Sequence, residues 1–427
     1  MPQRNYSTDK TLTAKPSHRI VLPIPRQIYH ELTTNCDVYR EYVDAMVTSC
    51  PELFPTEIKQ GYTWHDSYHS KKMPEISVRR IKLSALDDNG KAKVLTLVPS
   101  FIMPYMCGDT DEIEKALFLR RFGVPYWGLT YVFGHNDMYW YRQIERLGRY
   151  DLVGTTLKSP DVMPEHLLAD EKHTRFNGEK AYIATTVAED CVLGASFSLS
   201  ADTVGLTEAY SHFKQEAQRV KSDYQAQTVN TDGWSATQKA WQALFPAIVI
   251  VQCFLHAFIS IRSRCKKLAE FPQLCQHIWN VYHAPTVDAF YEQVAELYAW
   301  AQPRLTGYPW QAVQKLCRKT GEFLVAFEYP DAYRTSNMID RHMIPMDRCL
   351  DSARYFHGHL MSAEFQIRAW ALMHNFLPYC PRANIRRQYQ SPAHKLNGFV
   401  YHDNWLHNLL ISTSGQAVYA HHKKREN

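Results

Sequence analysis

Residues 227–254 read QTVNTDGWSATQKAWQALFPAIVIVQCF, and their pattern is the most informative one for the fold class. It starts as a short apolar strand that ends at Asp232, turns at Gly233, and continues into a helical segment that Ser235 can cap. It closes with the apolar run AIVIVQCF, which is typical of a buried strand. The order strand, helix, buried strand indicates an α/β domain.

The segments upstream extend this pattern. Strand candidates at His166–Thr174, Lys180–Val187 and Cys191–Leu199 predict a meander, and an amphipathic helix follows at Leu206–Val220. Three strands, helix, strand, helix, strand is the order of a ribonuclease-H-like domain with a mixed sheet. Such a sheet brings carboxylates from its first and fourth strands together, and a later helix supplies a third.

Two aspartates occupy the expected strand positions. Asp170 lies in the first strand, in HLLADEKH, and Asp232 ends the fourth strand 62 residues later. An ionised carboxylate in an apolar strand is costly unless it is paired or holds a metal, so two of them point to a cation. Each acid alone also fits a turn or a helix cap. Gly233 suits a strand exit where the backbone passes close to a substrate, and Glu171 should point to the opposite face of its strand.

The third candidate acid is Asp340 in RTSNMIDRHMIPMDR. Thr335, Ser336 or Asn337 can cap a helix there and leave Asp340 in its first turn, although the helix dipole alone also favours an acid at this place. Glu364 in SAEFQIRAW is the substitute candidate. Its helical neighbours favour an ordinary exposed glutamate, so Asp340 is the preferred third acid.

The motifs TDGWSAT, CFLH, a long helical stretch and TSNMID together resemble the Mutator-like superfamily of insertion-sequence transposases. The resemblance covers about residues 160–375. In that family a strand-end Asp, a Cys or Asp followed three residues later by His, and a TSN or TTN before a helical acid recur at similar spacings. The long separation of Asp232 and Asp340 suits the helical insertion of these enzymes, here expected at 257–333. The family more often has Glu at the last position, and the aspartate side chain is one methylene shorter.

The resemblance implies a DNA transposase that cuts the ends of a mobile element and joins them to target DNA. Two Mg²⁺ or Mn²⁺ ions about 4 Å apart would assist phosphoryl transfer. Water would attack the phosphodiester at the element end, and the freed 3′-hydroxyl would then attack the target. The implied catalytic and metal-binding residues are Asp170, Asp232 and Asp340, and the implied supporting residues are Gly233, Cys253 and His256. A core cysteine with a satisfied histidine explains Cys253 and His256 equally well, and two ligands are too few for structural zinc.

DNA contacts are expected in two other regions. Helical segments end at Gly123 and Gly134, and Asn136 can cap a third, so residues 111–150 predict a helix-turn-helix-like module, with an ordinary helical linker as the alternative. The candidate DNA-binding residues are Arg142, Gln143 and Arg146 in the third segment and Arg262, Arg264, Lys266 and Lys267 in the insertion.

Composition limits the class of protein. The net charge is +5, and residues 381–427, with seven Lys or Arg against two acids, carry the whole surplus, which predicts a basic C-terminal tail at 376–427. The ten cysteines are scattered without a CxxC pair, as in reduced cytosolic proteins. No apolar stretch suits a signal peptide or a membrane span, so we expect a cytoplasmic, nucleoid-associated protein. Residues 1–110 show no readable fold.

The expected partners are the terminal inverted repeats of the element and target DNA, bound by a homodimer or a larger synaptic assembly. Two other functions compete with this reading. One is a catalytically decayed, transposase-derived DNA-binding protein, since Asp340 departs from the family pattern. The other is a ribonuclease-H-like nuclease that cleaves without joining, against which the helical insertion argues.

Overall fold

The structure is a computed structural model that describes residues 13–420. It is of the mixed α/β class, as the sequence predicted. The strands are β1 (Thr13–Pro16), β2 (Arg19–Leu22), β3 (Tyr62–His69), β4 (Ser77–Leu86), β5 (Ala92–Pro99), β6 (His166–Phe176), β7 (Glu179–Ala188), β8 (Cys191–Ser198), β9 (Thr228–Thr231), β10 (Val249–Gln252) and β11 (Ala417–Ala420).

The helices are α1 (Arg26–Thr34), α2 (Cys36–Ser49), α3 (Thr110–Arg121), α4 (Tyr126–Phe133), α5 (Asp137–Leu147), α6 (Leu152–Thr156), α7 (Thr203–Val220), α8 (Ser235–Leu244), α9 (Phe254–Cys265), α10 (Phe271–Tyr282), α11 (Val287–Ala301), α12 (Gly307–Arg318), α13 (Thr320–Glu328), α14 (Asn337–Ser352), α15 (Leu360–Phe376), α16 (Pro392–Asn397) and α17 (Trp405–Ser412).

A five-stranded sheet in the order β10-β9-β6-β7-β8 organises the second half of the chain. Strands β6, β7 and β8 are antiparallel, whereas β9 runs parallel to β6 and β10 runs parallel to β9. The predicted succession of three strands, helix, strand, helix, strand is confirmed in β6 to β10. This succession of elements follows from short apolar runs in the sequence. In β8, every residue is buried.

Helices cover the sheet and its outer edge. On one face of the sheet, α7 packs against β7, β8 and α8. Helix α14 packs against β6 and β7. Helix α15 lies along β8, where the Glu364 carboxylate accepts the backbone N–H of Phe197 and the Asn375 amide bonds both backbone groups of Val192. These contacts satisfy backbone groups that an uncovered edge strand leaves open.

The first 110 residues, which showed no readable fold in the sequence, form a four-stranded sheet in the order β2-β5-β4-β3 with α1 and α2. The three predicted helices after Asp111 are present as α3, α4 and α5. The Asn136 side chain caps α5 by accepting the backbone N–H of Tyr139 at 2.9 Å. Helix α5 packs against α15, which joins this region to the sheet domain.

The segment between β10 and α14 is helical, as expected for the predicted insertion at 257–333. Helices α9 to α13 enclose their own hydrophobic cluster, which includes Ile261, Leu274, Ile278 and Phe290. The insertion therefore has a core separate from the one beneath the sheet.

The expected basic tail at 376–427 is wrong for its described part. Every residue of α17 is buried, and β11 pairs with β1 at the other end of the described chain. The apolar sequence WLHNLLIS drives this packing, which the charge count did not take into account. Lys423, Lys424 and Arg425 lie outside the described residues. Within residues 13–420, no helix is long and apolar enough to cross a bilayer.

Candidate active site

Three different elements bring Asp170, Asp232 and Asp340 to one place. The parallel pairing of β6 with β9 aligns Leu168 with Asn230, so continuing this register sets Asp170 beside Asp232 just past the end of β9. Helix α14 packs across β6 with Asp340 in its first turn. Burial and then repulsion from Asp232 raise the pKa of Asp170 to about 6, and Asp340 adds to the rise. The three carboxylates therefore lie within electrostatic range of one another.

One hydrogen bond orients each carboxylate. Asp170 Oδ1 accepts the backbone N–H of Glu171 at 2.8 Å, and Asp232 Oδ1 accepts that of Trp234 at 2.8 Å. The Ser336 hydroxyl donates to Asp340 Oδ2 at 2.7 Å. Within residues 13–420, no hydrogen bond engages the second oxygen of any of the three acids.

Cys253 and His256 stand beside these acids, at the junction of β10 and α9. The backbone N–H of Cys253 donates to Thr231 at 2.9 Å, and its sulfur accepts the backbone N–H of Ser336 at 3.2 Å, so the cysteine ties the end of β9 to the start of α14. Burial alone would raise the pKa of the Cys253 thiol, but hydrogen bonds with His256 and Ser336 lower it.

His256 carries a positive charge near neutral pH. Its hydrogen bond with Cys253 outweighs burial, and the charges of Asp232 and Asp340 add to it, so the pKa of His256 rises to about 9. The imidazolium therefore balances part of the negative charge of the acids.

Gly233 makes the turn that presents Asp232. Its φ is +94°, so a larger residue would be strained there, and its Cβ would lie 2.5 Å from Gln252 Nε2, so the amide of Gln252 would have to move. The sharp exit expected after β9 is present.

Glu171 and Glu364 have partners outside the three aspartates. Glu171 points to the opposite face of β6 from Asp170, as expected, where it accepts hydrogen bonds from Tyr210 at 2.8 Å and Thr237 at 2.7 Å. Glu364 is not the exposed glutamate that its helical neighbours suggested, because it is 0% exposed and bonded to β8. Its role in covering a strand edge explains an acid there.

The donor chemistry of the site suits a hard divalent cation, because three carboxylates each keep one oxygen free of other partners in the described chain. As the side chains stand, no group of three or more His, Cys, Asp or Glu among residues 13–420 could hold a metal ion. Ligation would require these side chains to turn toward a common point.

The candidate DNA-binding residues lie in two regions, the C-terminal end of α9 and helix α5. Arg262, Arg264, Lys266 and Lys267 are all exposed at the C-terminal end of α9, one twelve-residue helix, or about 18 Å, from its start at the acids. Gln143, expected to face a DNA groove, is 0% exposed and donates to the Cys107 carbonyl at 3.2 Å. The prediction for Gln143 is wrong, because the apolar face of α5 packs inward and takes this amide with it.

The sequence did not single out two interactions near the acids. Ser336 was considered only as a helix cap, whereas its hydroxyl orients Asp340. Lys172 forms an ion pair with Asp347 at 2.6 Å, which links β6 to α14 on the side of Asp170 and Asp340. The seven-residue spacing of Asp340 and Asp347, two turns of one helix face, was the available signal.

The chain matches no known family model and no curated protein. The assignment of a function therefore rests on its own residues and their arrangement.

Proposed function

We propose that this protein is a DNA transposase, a metal-dependent phosphoryl transferase with Asp170, Asp232 and Asp340 as its acidic triad. The observation that carries the proposal is the convergence of these three carboxylates from β6, the end of β9 and the start of α14. Isolated capping or turn acids have no reason to meet at the end of one parallel strand pair.

The sheet supports the same reading. Its first strand, β6, lies at the centre, antiparallel to β7 and parallel to β9, and this strand order supports the proposal of a ribonuclease-H-like domain. The separate helical unit α9 to α13 stands before the last acid, where the resembled transposases carry their insertion.

The three aspartates would hold Mg²⁺ or Mn²⁺, which would stabilise charge on the phosphate and activate the attacking oxygen. The chain itself supplies position and charge. Backbone N–H groups and Ser336 orient the carboxylates, and the protonated His256 lowers the cost of holding them together. The exposed basic end of α9 offers phosphate contacts within one helix length of the acids.

The decisive experiment is a strand-transfer assay with purified protein, Mg²⁺ or Mn²⁺, and labelled DNA carrying the inverted repeats that flank its gene. Asp232→Asn is the test variant, because it preserves shape and removes the charge. Asp223→Asn, at an exposed aspartate after α7, is the matched control.

Metal-dependent joined products that vanish in Asp232→Asn and persist in Asp223→Asn would support the proposal. Cleavage without joining would replace it with a nuclease, and DNA binding without cleavage would replace it with a decayed transposase. Full activity of Asp232→Asn would exclude the acidic triad.

A further inference from the structure

A basic cleft that contains none of the three acids lies between the β3–β4 connection and α5. It has a volume of about 460 Å³. An adjoining cavity of about 300 Å³ shares Lys72, Arg142 and Arg146 with it and adds Arg149. We call the two together the α5 cleft. Its main lining residues are Lys72, Cys107, His135, Tyr139, Arg142 and Arg146.

The charge of the α5 cleft is positive. Within residues 13–420, Lys72, Arg142 and Arg146 form no ion pair, whereas the rim arginine Arg149 pairs with Glu145 at 3.0 Å. Glu112 is the other acid at the cleft. The three cations, from two separate elements, therefore outnumber Glu112, and this excess of positive charge favours an anion.

The floor of the α5 cleft orients Arg146. The buried Gln143 bonds Cys107 and accepts from Arg146 Nη1 at 3.3 Å, and Tyr139 donates to the Cys107 carbonyl at 2.9 Å. The ring of His135 stacks on Tyr139 at 4.0 Å. Burial raises the pKa of the Cys107 thiol, so a neutral floor leaves the positive charge uncancelled.

We propose that the α5 cleft binds the phosphate backbone of double-stranded DNA. The choice of DNA as the ligand rests on the proposed function. The binding mode differs from that of a recognition helix, because Gln143, the amide suited to read a base edge, is buried. Lysine and arginine that meet phosphates fix the position of a duplex without reading its sequence.

The test compares wild-type protein with the double variant Arg142→Gln, Arg146→Gln, measuring duplex affinity over a range of salt concentrations without divalent metal. Lys115→Gln, at an exposed lysine of α3 outside the cleft, is the matched control. The double variant should bind every duplex more weakly by a similar factor, and the slope of log affinity against log salt should become shallower by about two. The control should bind as the wild type does.

Unchanged affinity and slope in the double variant would overturn the proposal, and so would inorganic phosphate filling the cleft without weakening duplex binding, or preference for RNA over duplex DNA. Lys72→Gln, in an exposed connection, is the second variant and should lower the slope by about one if the paired substitution unfolds α5. Asp232→Asn should bind DNA normally. If the protein binds DNA through the α5 cleft but never cleaves it, the proposed chemistry is refuted and the proposal for the cleft still holds.

Discussion

The hydroxyl of Ser336 and the carboxylate of Asp340 show how single residues define the site. Ser336 begins α14 and donates to Asp340 Oδ2, while its backbone N–H donates to the sulfur of Cys253. A carboxylate held in this way keeps its second oxygen in a defined direction.

At this scale we predict that Asp340→Asn abolishes cleavage, because the amide cannot replace a carboxylate as a ligand for a hard cation. Asp340→Glu should retain activity, since the carboxylate persists with one more methylene. Cleavage rates at saturating Mn²⁺ measure both effects. Asp351→Asn, at an exposed aspartate near the end of α14, is the control and should remain active; an active Asp340→Asn would remove Asp340 from the triad.

Helix α5 meets α15 at a contact that admits no side chain. A Cβ on Gly148, directly after α5, would lie 1.7 Å from the carbonyl oxygen of Phe365. The guanidinium of Arg368 also donates to the Gly148 carbonyl at 3.1 Å. This close approach couples the region of the α5 cleft to the helix that covers β8.

For this element pair we predict that Gly148→Ala lowers the free energy of unfolding by about 3 kcal/mol, because backbone atoms cannot move aside as a flexible side chain can. Urea denaturation measures the change. Gly321→Ala is the control, because its Cβ would meet nothing within 4 Å, and it should leave stability unchanged or raise it by up to about 1 kcal/mol. Equal effects of the two substitutions would contradict the close contact.

A buried ionic network joins the ends of the described chain to its centre. Glu216 of α7 accepts from Arg368 of α15, from Tyr419 of β11 at 2.8 Å, and from the backbone N–H of Val153 at 2.9 Å. Arg219 adds an ion pair with Asp151 at 2.7 Å. The C-terminal strand is therefore fastened to the same helix that packs on the sheet.

We expect Arg368→Met to lower the free energy of unfolding by about 3–5 kcal/mol, because it leaves Glu216 buried without its main cation. Thermal unfolding, followed by circular dichroism, would report the loss. Arg318→Met is the control. It removes an exposed guanidinium from α12 and should change stability little. A comparable loss in both variants would refute the importance of the network.

Stability should also depend on pH through His342, which packs edge-on against His374 at 4.5 Å. Burial lowers the pKa of His342 to about 4; the charge of Asp190 opposes this shift, and the charges of Arg341 and Arg121 add to it. The unfolded chain binds a proton near pH 6.5 and the folded chain does not, so stability falls as the pH drops through this range.

The contribution of His342 should fall by about 1–2 kcal/mol between pH 6.5 and pH 5. Urea denaturation at both pH values, compared with His342→Gln, isolates it from the titration of other groups, because glutamine stays neutral. The variant should lose less stability than the wild type on acidification. Identical losses would show that His342 does not resist protonation.

The sequence by itself determined the order of elements around the acids and their place on strand ends and at a helix start, because alternating and apolar periods, glycine turns and caps are local. These local patterns identified the candidate acids Asp170, Asp232 and Asp340. So were the helices α3 to α5, although the burial of Gln143 was not, since helical period alone does not state which face a neighbouring helix covers.

Only the tertiary structure decided which groups meet across long separations in the chain. The Ser336 anchor, the pairing of Glu364 with the edge of β8, the folding of α17 and the meeting of Lys72 with Arg142 all depend on packing between distant elements. The contacts of Ser336 and Glu364 form because a buried polar or charged group must find a partner wherever the folded chain provides one, whereas α17 packs to bury its apolar side chains.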